Sequence, residues 1–320
     1  MSERVAVYGT GTIGSGQATL SIGNGFETVV LGHSKGGQER CWQTISQNWD
    51  DLIAAGLATT HAKGAALNRL TITDDPAALA ECTFVFEAVA ENPTVKRDVY
   101  QTIRRNTAAG TVIASTTSSL EADVLAGLCE DPAHFLVAHP FQPVHLQPLV
   151  EVVPCTATAD EAMAQAKALL VMLHRQVVIL RKSVPGFLVN RFAQALFRES
   201  LDLLEKGVAT AEDIDRAVKY AMGMRYASIG LLEYFDAVGF DLEKTIAENT
   251  YPSLCNTREV QTIVKKGIRS GCTGQKAGKG LYSWDEESLA DFHARLLKPF
   301  LPSVMAVSYT HLTLPTTSRV

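Results

Sequence analysis

The chain opens with Arg4-Val5-Ala6-Val7-Tyr8, which reads as a buried strand, and runs without a linker into Gly9-Thr10-Gly11-Thr12-Ile13-Gly14. A helix-compatible run follows to about Asn24. Three glycines at this spacing, between a strand and a helix, leave few folds open. Gly9 permits a tight turn, Gly11 lets a bulky group approach the backbone, and Gly14 lets helix and strand pack closely. The N–H groups of the first helical turn, at Thr12, Ile13 and Gly14, together with the partial positive charge of a helix start, suit a pyrophosphate. The segment reads as the first turn of a dinucleotide-binding unit.

The alternation continues through the first half. Residues 27–32 read as a strand, 38–56 and 61–67 as two helices, and 70–73 as a strand. Residues 83–89 form a further buried strand that leads through Glu91 to a helix opened by Pro93 and carrying Lys96. Residues 111–115 form another, ending in Thr116-Thr117-Ser118-Ser119-Leu120. Strand alternating with helix predicts an α/β, doubly wound, mostly parallel sheet of Rossmann type, with ligands at the carboxyl ends of its strands. Gly9, Glu91, Ser118 and His139 all fall at such ends.

His139 closes the apolar run Phe135-Leu136-Val137-Ala138, and Glu151 sits inside a second apolar run, 149–153. A carboxylate in a buried strand is costly unless it is paired or hydrogen-bonded. The Pro-rich loop between the runs can fold back and bring Glu151 to the imidazole. A histidine held by a carboxylate has a fixed tautomer and suits proton transfer near neutral pH. The alternative is a core histidine and an edge-strand glutamate.

A site for NAD usually places an acid at the end of the second strand, where it binds the ribose 2′-hydroxyl. Here that strand ends Leu31-Gly32-His33-Ser34-Lys35, with no acid. His33, Ser34 and Lys35 suit a 2′-phosphate, or Ser34 holds the ribose. NAD is the expected cofactor, with NADP possible.

Residues 160–173 read as a helix and 177–180 as a strand, and then Pro185-Gly186 breaks the chain. A helix runs on to Glu205, and beyond it the pattern is almost wholly helical, with a capping signature at Thr210-Ala211-Glu212-Asp213. This predicts a nucleotide-binding domain over 1–183 and an all-α helical domain over 184–305, whose apolar surplus suggests a homodimer interface. Residues 306–320 depart in composition, Thr/Ser-rich with no helical period, and read as a foreign tail.

The 320 residues, 46% hydrophobic and 20% charged, are enough for two globular domains. A net charge of −5 gives no reason to expect nucleic acid or an anionic membrane as partner. No long apolar span is present, which points to a cytoplasmic protein. Six cysteines with no Cys-x-x-Cys pair read as reduced, mostly buried thiols, with no metal site.

Taken together, the Gly9–Gly14 loop, Glu91 with Lys96, Thr117-Ser118-Ser119-Leu120, His139 with Glu151, Pro185-Gly186-Phe187-Leu188-Val189-Asn190-Arg191 and Gly278-Lys279-Gly280-Leu281-Tyr282 resemble the 3-hydroxyacyl-CoA dehydrogenase family over residues 4–284. The resemblance implies a Rossmann domain followed by a helical dimerisation domain. It also implies a site in which His139 is the general base, Glu151 orients it, Ser118 and Asn190 bind the reacting oxygen, and Glu91 and Lys96 lie against the cofactor. Four positions depart from the family pattern: His33 for the ribose acid, Gln142 and Thr116 each for an Asn, and Gly230-Leu231 for a Gly-Pro.

In the family the helical hairpin after the second strand helps bind CoA. Here residues 38–67 carry only Arg40 and Lys63 as bases, whereas phosphates call for Lys or Arg. Residues 143–154 and Gly223-Met224-Arg225-Tyr226-Ala227 look like the branch acting on free hydroxy acids, such as carnitine and gulonate dehydrogenases. Arg225 then pairs with a substrate carboxylate, or else forms a structural salt bridge. The expected activity is hydride transfer at C3 of a small-molecule L-3-hydroxy acid. The alternatives are a CoA-thioester dehydrogenase and, as lambda-crystallin in the same branch warns, a non-catalytic protein.

Overall fold

Alternation of side chains along each central strand sends apolar residues to both faces of one sheet. The computed structural model describes residues 4–300, and one compact unit holds the residues up to Leu188 while a second comprises Val189–Arg295. The first unit begins β1 (Arg4–Tyr8), α1 (Thr12–Gly23), β2 (Glu27–Leu31), α2 (Lys35–Ala54), α3 (Thr60–Leu67) and β3 (Leu70–Thr73). It continues with β4 (Phe84–Glu87), α4 (Pro93–Asn106), β5 (Val112–Ser115), α5 (Ala122–Ala126) and β6 (Phe135–Pro140), then β7 (Leu149–Pro154), α6 (Asp160–Met172) and β8 (Gln176–Ile179).

The eight strands form one sheet in the order β3-β2-β1-β4-β5-β6-β7-β8. From β3 to β6 every pairing is parallel. The expected doubly wound α/β sheet is therefore present. The exception is β7, which runs antiparallel to β6, with β8 parallel to β7. Only residues 141–148 join β6 to β7, too few for the crossover that a parallel neighbour needs.

Val5 and Val7 feed a core layer with Leu20, Ile22, Ile45 and Leu169, while Ala6 feeds the opposite layer with Tyr100, Ile103 and Leu125. Helix α1 is buried without a break from Gly14 to Ile22. Its polar side chains are satisfied inside: Thr19 Oγ1 donates to the Ser15 carbonyl at 2.8 Å and accepts from Asn48 at 3.0 Å.

Most element boundaries shift from the sequence reading by one to three residues. Helix α2 begins at Lys35, three residues early, because Ser34 caps it: its Oγ accepts from the Gly37 N–H at 3.2 Å. Strand β8 begins at Gln176. All six cysteines are free thiols, but only Cys41, Cys82 and Cys155 are buried, so half of them rather than most are core residues.

The second unit is almost wholly helical, as expected, with two isolated antiparallel bridges, Gly274–Lys279 and Lys279–Ser283, between its last helices: α7 (Val189–Glu205), α8 (Ala211–Ala217), α9 (Met224–Tyr226), α10 (Leu231–Val238), α11 (Phe240–Thr250), α12 (Thr262–Arg269) and α13 (Glu286–Leu297). The Thr210 hydroxyl caps α8 by accepting from the Asp213 N–H at 3.2 Å. Among its described residues Leu201 alone is fully buried, while Phe192, Leu232 and Phe240 are 61%, 82% and 73% exposed. Residues 306–320, read as a foreign tail, lie outside the described residues.

Candidate active site

The turn after β1 is built on close contact. Gly9 has φ +136°, and a Cβ there would stand 2.3 Å from the Ala88 carbonyl oxygen. A Cβ on Gly14 would stand 2.1 Å from the Gly9 oxygen, so neither position admits a side chain. Gly11 differs: a Cβ there would meet nothing within 4 Å. Its open side, and an α1 N-terminus with no side-chain cap, leave the N–H groups of Thr12 and Ile13 to face outward. These residues fit a dinucleotide pyrophosphate. At the end of β2, His33, Ser34 and Lys35 are all exposed, and the Ser34 oxygen is already engaged as the α2 cap.

Antiparallel pairing makes His139 and Glu151 direct register partners. Glu151 is 0% and His139 5% exposed. His139 Nδ1 lies 3.0 Å from Glu151 Oε2. Glu151 Oε1 accepts from the Leu188 N–H at 2.9 Å. A carboxylate accepts only, so Nδ1 carries a proton, and in the neutral ring Nε2 is then the nitrogen with the lone pair. The rings of Phe141 and Phe187 stand 4.5 and 5.5 Å from the imidazole and wall it with apolar surface.

Ser118 is exposed, and its backbone N–H donates to Glu91 Oε1 at 3.1 Å; the Thr117 hydroxyl donates to the same oxygen at 2.7 Å. Lys96 is 1% exposed. Its Nζ donates to Glu87 Oε1 at 2.8 Å and Oε2 at 3.0 Å, and lies 3.4 Å from Glu91 Oε2. Glu87, 0% exposed, is missing from the sequence reading of the site. It also accepts from Tyr100 Oη at 2.9 Å, Ser115 Oγ at 2.7 Å and the Val89 N–H at 2.9 Å. Burial, followed by the Glu87 charge, pushes the Tyr100 phenol well up, so it acts as a neutral donor. The sign that marks Glu151, a carboxylate within an apolar strand, is present at Glu87 too.

In the second unit Asn190 is the second residue of α7 and half-buried. Arg225, in α9, is exposed and stacks on Tyr234, its guanidinium carbon 4.2 Å from the ring centre.

Residues 4–184 match the model of the 3-hydroxyacyl-CoA dehydrogenase NAD-binding domain, and residues 186–284 that of the C-terminal domain. The L-carnitine dehydrogenase of Oceanobacillus iheyensis is 36% identical over 239 residues, 74% of this chain and 76% of that one. The crystal structure of 5-formyl-3-hydroxy-2-methylpyridine 4-carboxylic acid 5-dehydrogenase, an NAD+-dependent dismutase, superposes with a TM-score of 0.85 at 29% identity, over 95% of this chain and 97% of that one. The (S)-3-hydroxybutyryl-CoA dehydrogenase of Ralstonia eutropha gives a TM-score of 0.74 at 28% identity, over 89% and 100%. With both domain models matched in order along 4–284 and NAD as the cofactor of the first, the chain belongs to the 3-hydroxyacyl-CoA dehydrogenase family.

Proposed function

We propose that this protein is a dehydrogenase that interconverts a small L-3-hydroxy acid and its 3-oxo acid. The observation that carries the reading is the buried His139–Glu151 hydrogen bond, which leaves Nε2 as the free base of the ring. NAD, when bound, supplies the hydride acceptor for oxidation and the donor for reduction. His139 Nε2 takes the substrate hydroxyl proton, and Glu151 holds the Nδ1–H and offsets the charge of the imidazolium. Ser118 and, on the family resemblance, Asn190 hold the reacting oxygen; one well-placed donor contributes roughly 3 kcal/mol. Gly9, Gly11, Thr12, Ile13 and Gly14 cradle the pyrophosphate, with Glu91 facing the cofactor from the end of β4.

A free acid is favoured over a CoA thioester by the charge of the α2–α3 hairpin. Lys63, one of its three bases with Lys35 and Arg40, is paired at 2.7 Å with Asp50, which leaves that face short of cations for phosphate. Relatives with free-carboxylate substrates in their names, including L-carnitine dehydrogenase, point the same way. Arg225 is the proposed partner of the substrate carboxylate. The exposed Phe192, Leu232 and Phe240 of the helical unit support a homodimer, since a helical unit with one fully buried residue lacks a core of its own. Six free thiols support a reducing compartment, the cytoplasm.

The test is a panel of 3-hydroxy acids and their CoA thioesters with NAD, read as kcat/KM. Free acids should turn over at least about tenfold better, or about 1.4 kcal/mol. A thioester preference would overturn the free-acid reading, and inactivity on both would overturn the dehydrogenase.

A further inference from the structure

Five side chains close a polar ring at the carboxyl ends of β4 and β5. Glu87 Oε2 accepts from Ser115 Oγ at 2.7 Å, and Ser115 Oγ accepts from the Thr117 N–H at 3.4 Å. The Thr117 hydroxyl donates to Glu91 Oε1 at 2.7 Å, and Glu91 Oε2 faces Lys96 Nζ at 3.4 Å. Lys96 then returns to both oxygens of Glu87. Four of the five are buried; Glu91, its side chain 40% exposed, is the member that meets solvent. Tyr100 and the Val89 N–H brace Glu87 from outside the ring.

Stability alone gives no reason for this ring. Exchanging a buried ion pair for apolar side chains of similar volume is often neutral or stabilising. Strand β4 packs an apolar side chain on the same face: Val85, two residues before Glu87, is 0% exposed. What the ring does is geometric. It ties the turn after β5 to β4 and α4 by two routes, through Ser115 and through Lys96–Glu91. Thr117 Oγ1 also accepts from the Ser119 and Leu120 N–H groups at 3.3 and 3.1 Å. Ser118, exposed and held through its backbone to Glu91, stands where the ring puts it.

We propose that Glu87 is a positioning residue for the reaction: through Ser115, Lys96 and Glu91 it fixes the turn that presents Ser118 to the reacting oxygen. This rests on the assignment of Ser118 made above.

The experiment compares Glu87→Gln, Ser118→Ala and the double variant by kcat and KM. Circular dichroism and thermal midpoint report folding, and NADH titration gives the fraction of competent sites. The expected result is a fall of about tenfold in kcat for Glu87→Gln, with NADH affinity within about threefold, and no further fall when Glu87→Gln is added to Ser118→Ala. Such non-additivity is the mark of action through one residue. A Glu87→Gln effect that persists in full in the Ser118→Ala background, or an unchanged kcat, overturns the proposal while leaving Ser118 in its role. A Ser118→Ala variant of normal kcat overturns that role, and this proposal with it. If Glu87→Gln does not fold, Tyr100→Phe takes its place in the same cycle, because it removes one hydrogen bond to Glu87 and keeps the ring's charges.

Discussion

His139 and Glu151 are twelve residues apart in sequence and opposite each other in the antiparallel pair β6–β7, with Nδ1 and Oε2 separated by 3.0 Å. The first prediction follows from that pairing. His139→Ala should lower turnover by about 10²–10⁴-fold while NADH still binds. Glu151→Gln should lower it less. Steady-state rates across pH, with NADH titration as control, decide it; a near-normal rate for His139→Ala removes that residue from the chemistry.

The glycines of the first turn separate folding from binding. Gly14→Ala drives a Cβ against the Gly9 carbonyl and should destabilise the fold. Gly11→Ala meets no protein atom within 4 Å, so the variant should melt as wild type yet bind NADH at least about tenfold more weakly. Equal NADH affinity in Gly11→Ala would show that the pyrophosphate lies elsewhere.

His145, in the β6–β7 loop, is held down to about pKa 4, chiefly by burial; Arg175 lowers it further and Asp51 opposes the shift. The folded value lies below the unfolded 6.5, so the unfolded chain binds the extra proton. Stability is full above pH 6.5 and falls as pH drops toward 4, by about 3 kcal/mol over the window. His145→Gln should flatten this part of the curve. Denaturant midpoints at pH 7 and 4.5 measure it, and parallel losses in both proteins would refute the assignment.

Cofactor choice hangs on the end of β2. With His33 where an acid would reward NAD and repel NADP, discrimination in kcat/KM should stay under about 10³-fold, or 4 kcal/mol. His33→Asp should widen it. A wild-type preference beyond that bound would place the selectivity outside residues 33–35.

The doubly wound sheet is readable in the sequence because its signals are local: one glycine turn, apolar runs of strand length, and a helix start at Asn92-Pro93 where the Asn side chain does cap. The start of α2 is not, because Gly36-Gly37 argues against a helix while the Ser34 cap, a contact across three residues, decides for one. Glu151 is legible as a buried charge in need of a partner. Glu87 carries the same mark in Phe84-Val85-Phe86-Glu87, but its partners Lys96, Tyr100 and Ser115 come from two further elements, and no spacing rule joins them. Lys96, which the family resemblance sets against the cofactor, is enclosed between two carboxylates that no local pattern pairs with it.

Helix α1 has no wet flank between Gly14 and Ile22. A helix dipole on a protein surface is weakened by the water and ions along its sides. This one is enclosed by protein, and its positive end opens at the exposed Gly11 and Thr12, where the phosphates are expected. Mobile ions reach that field from one direction alone. The attraction it exerts on a bound dinucleotide should therefore survive salt concentrations that erase surface charge pairs, and cofactor affinity should change little with ionic strength.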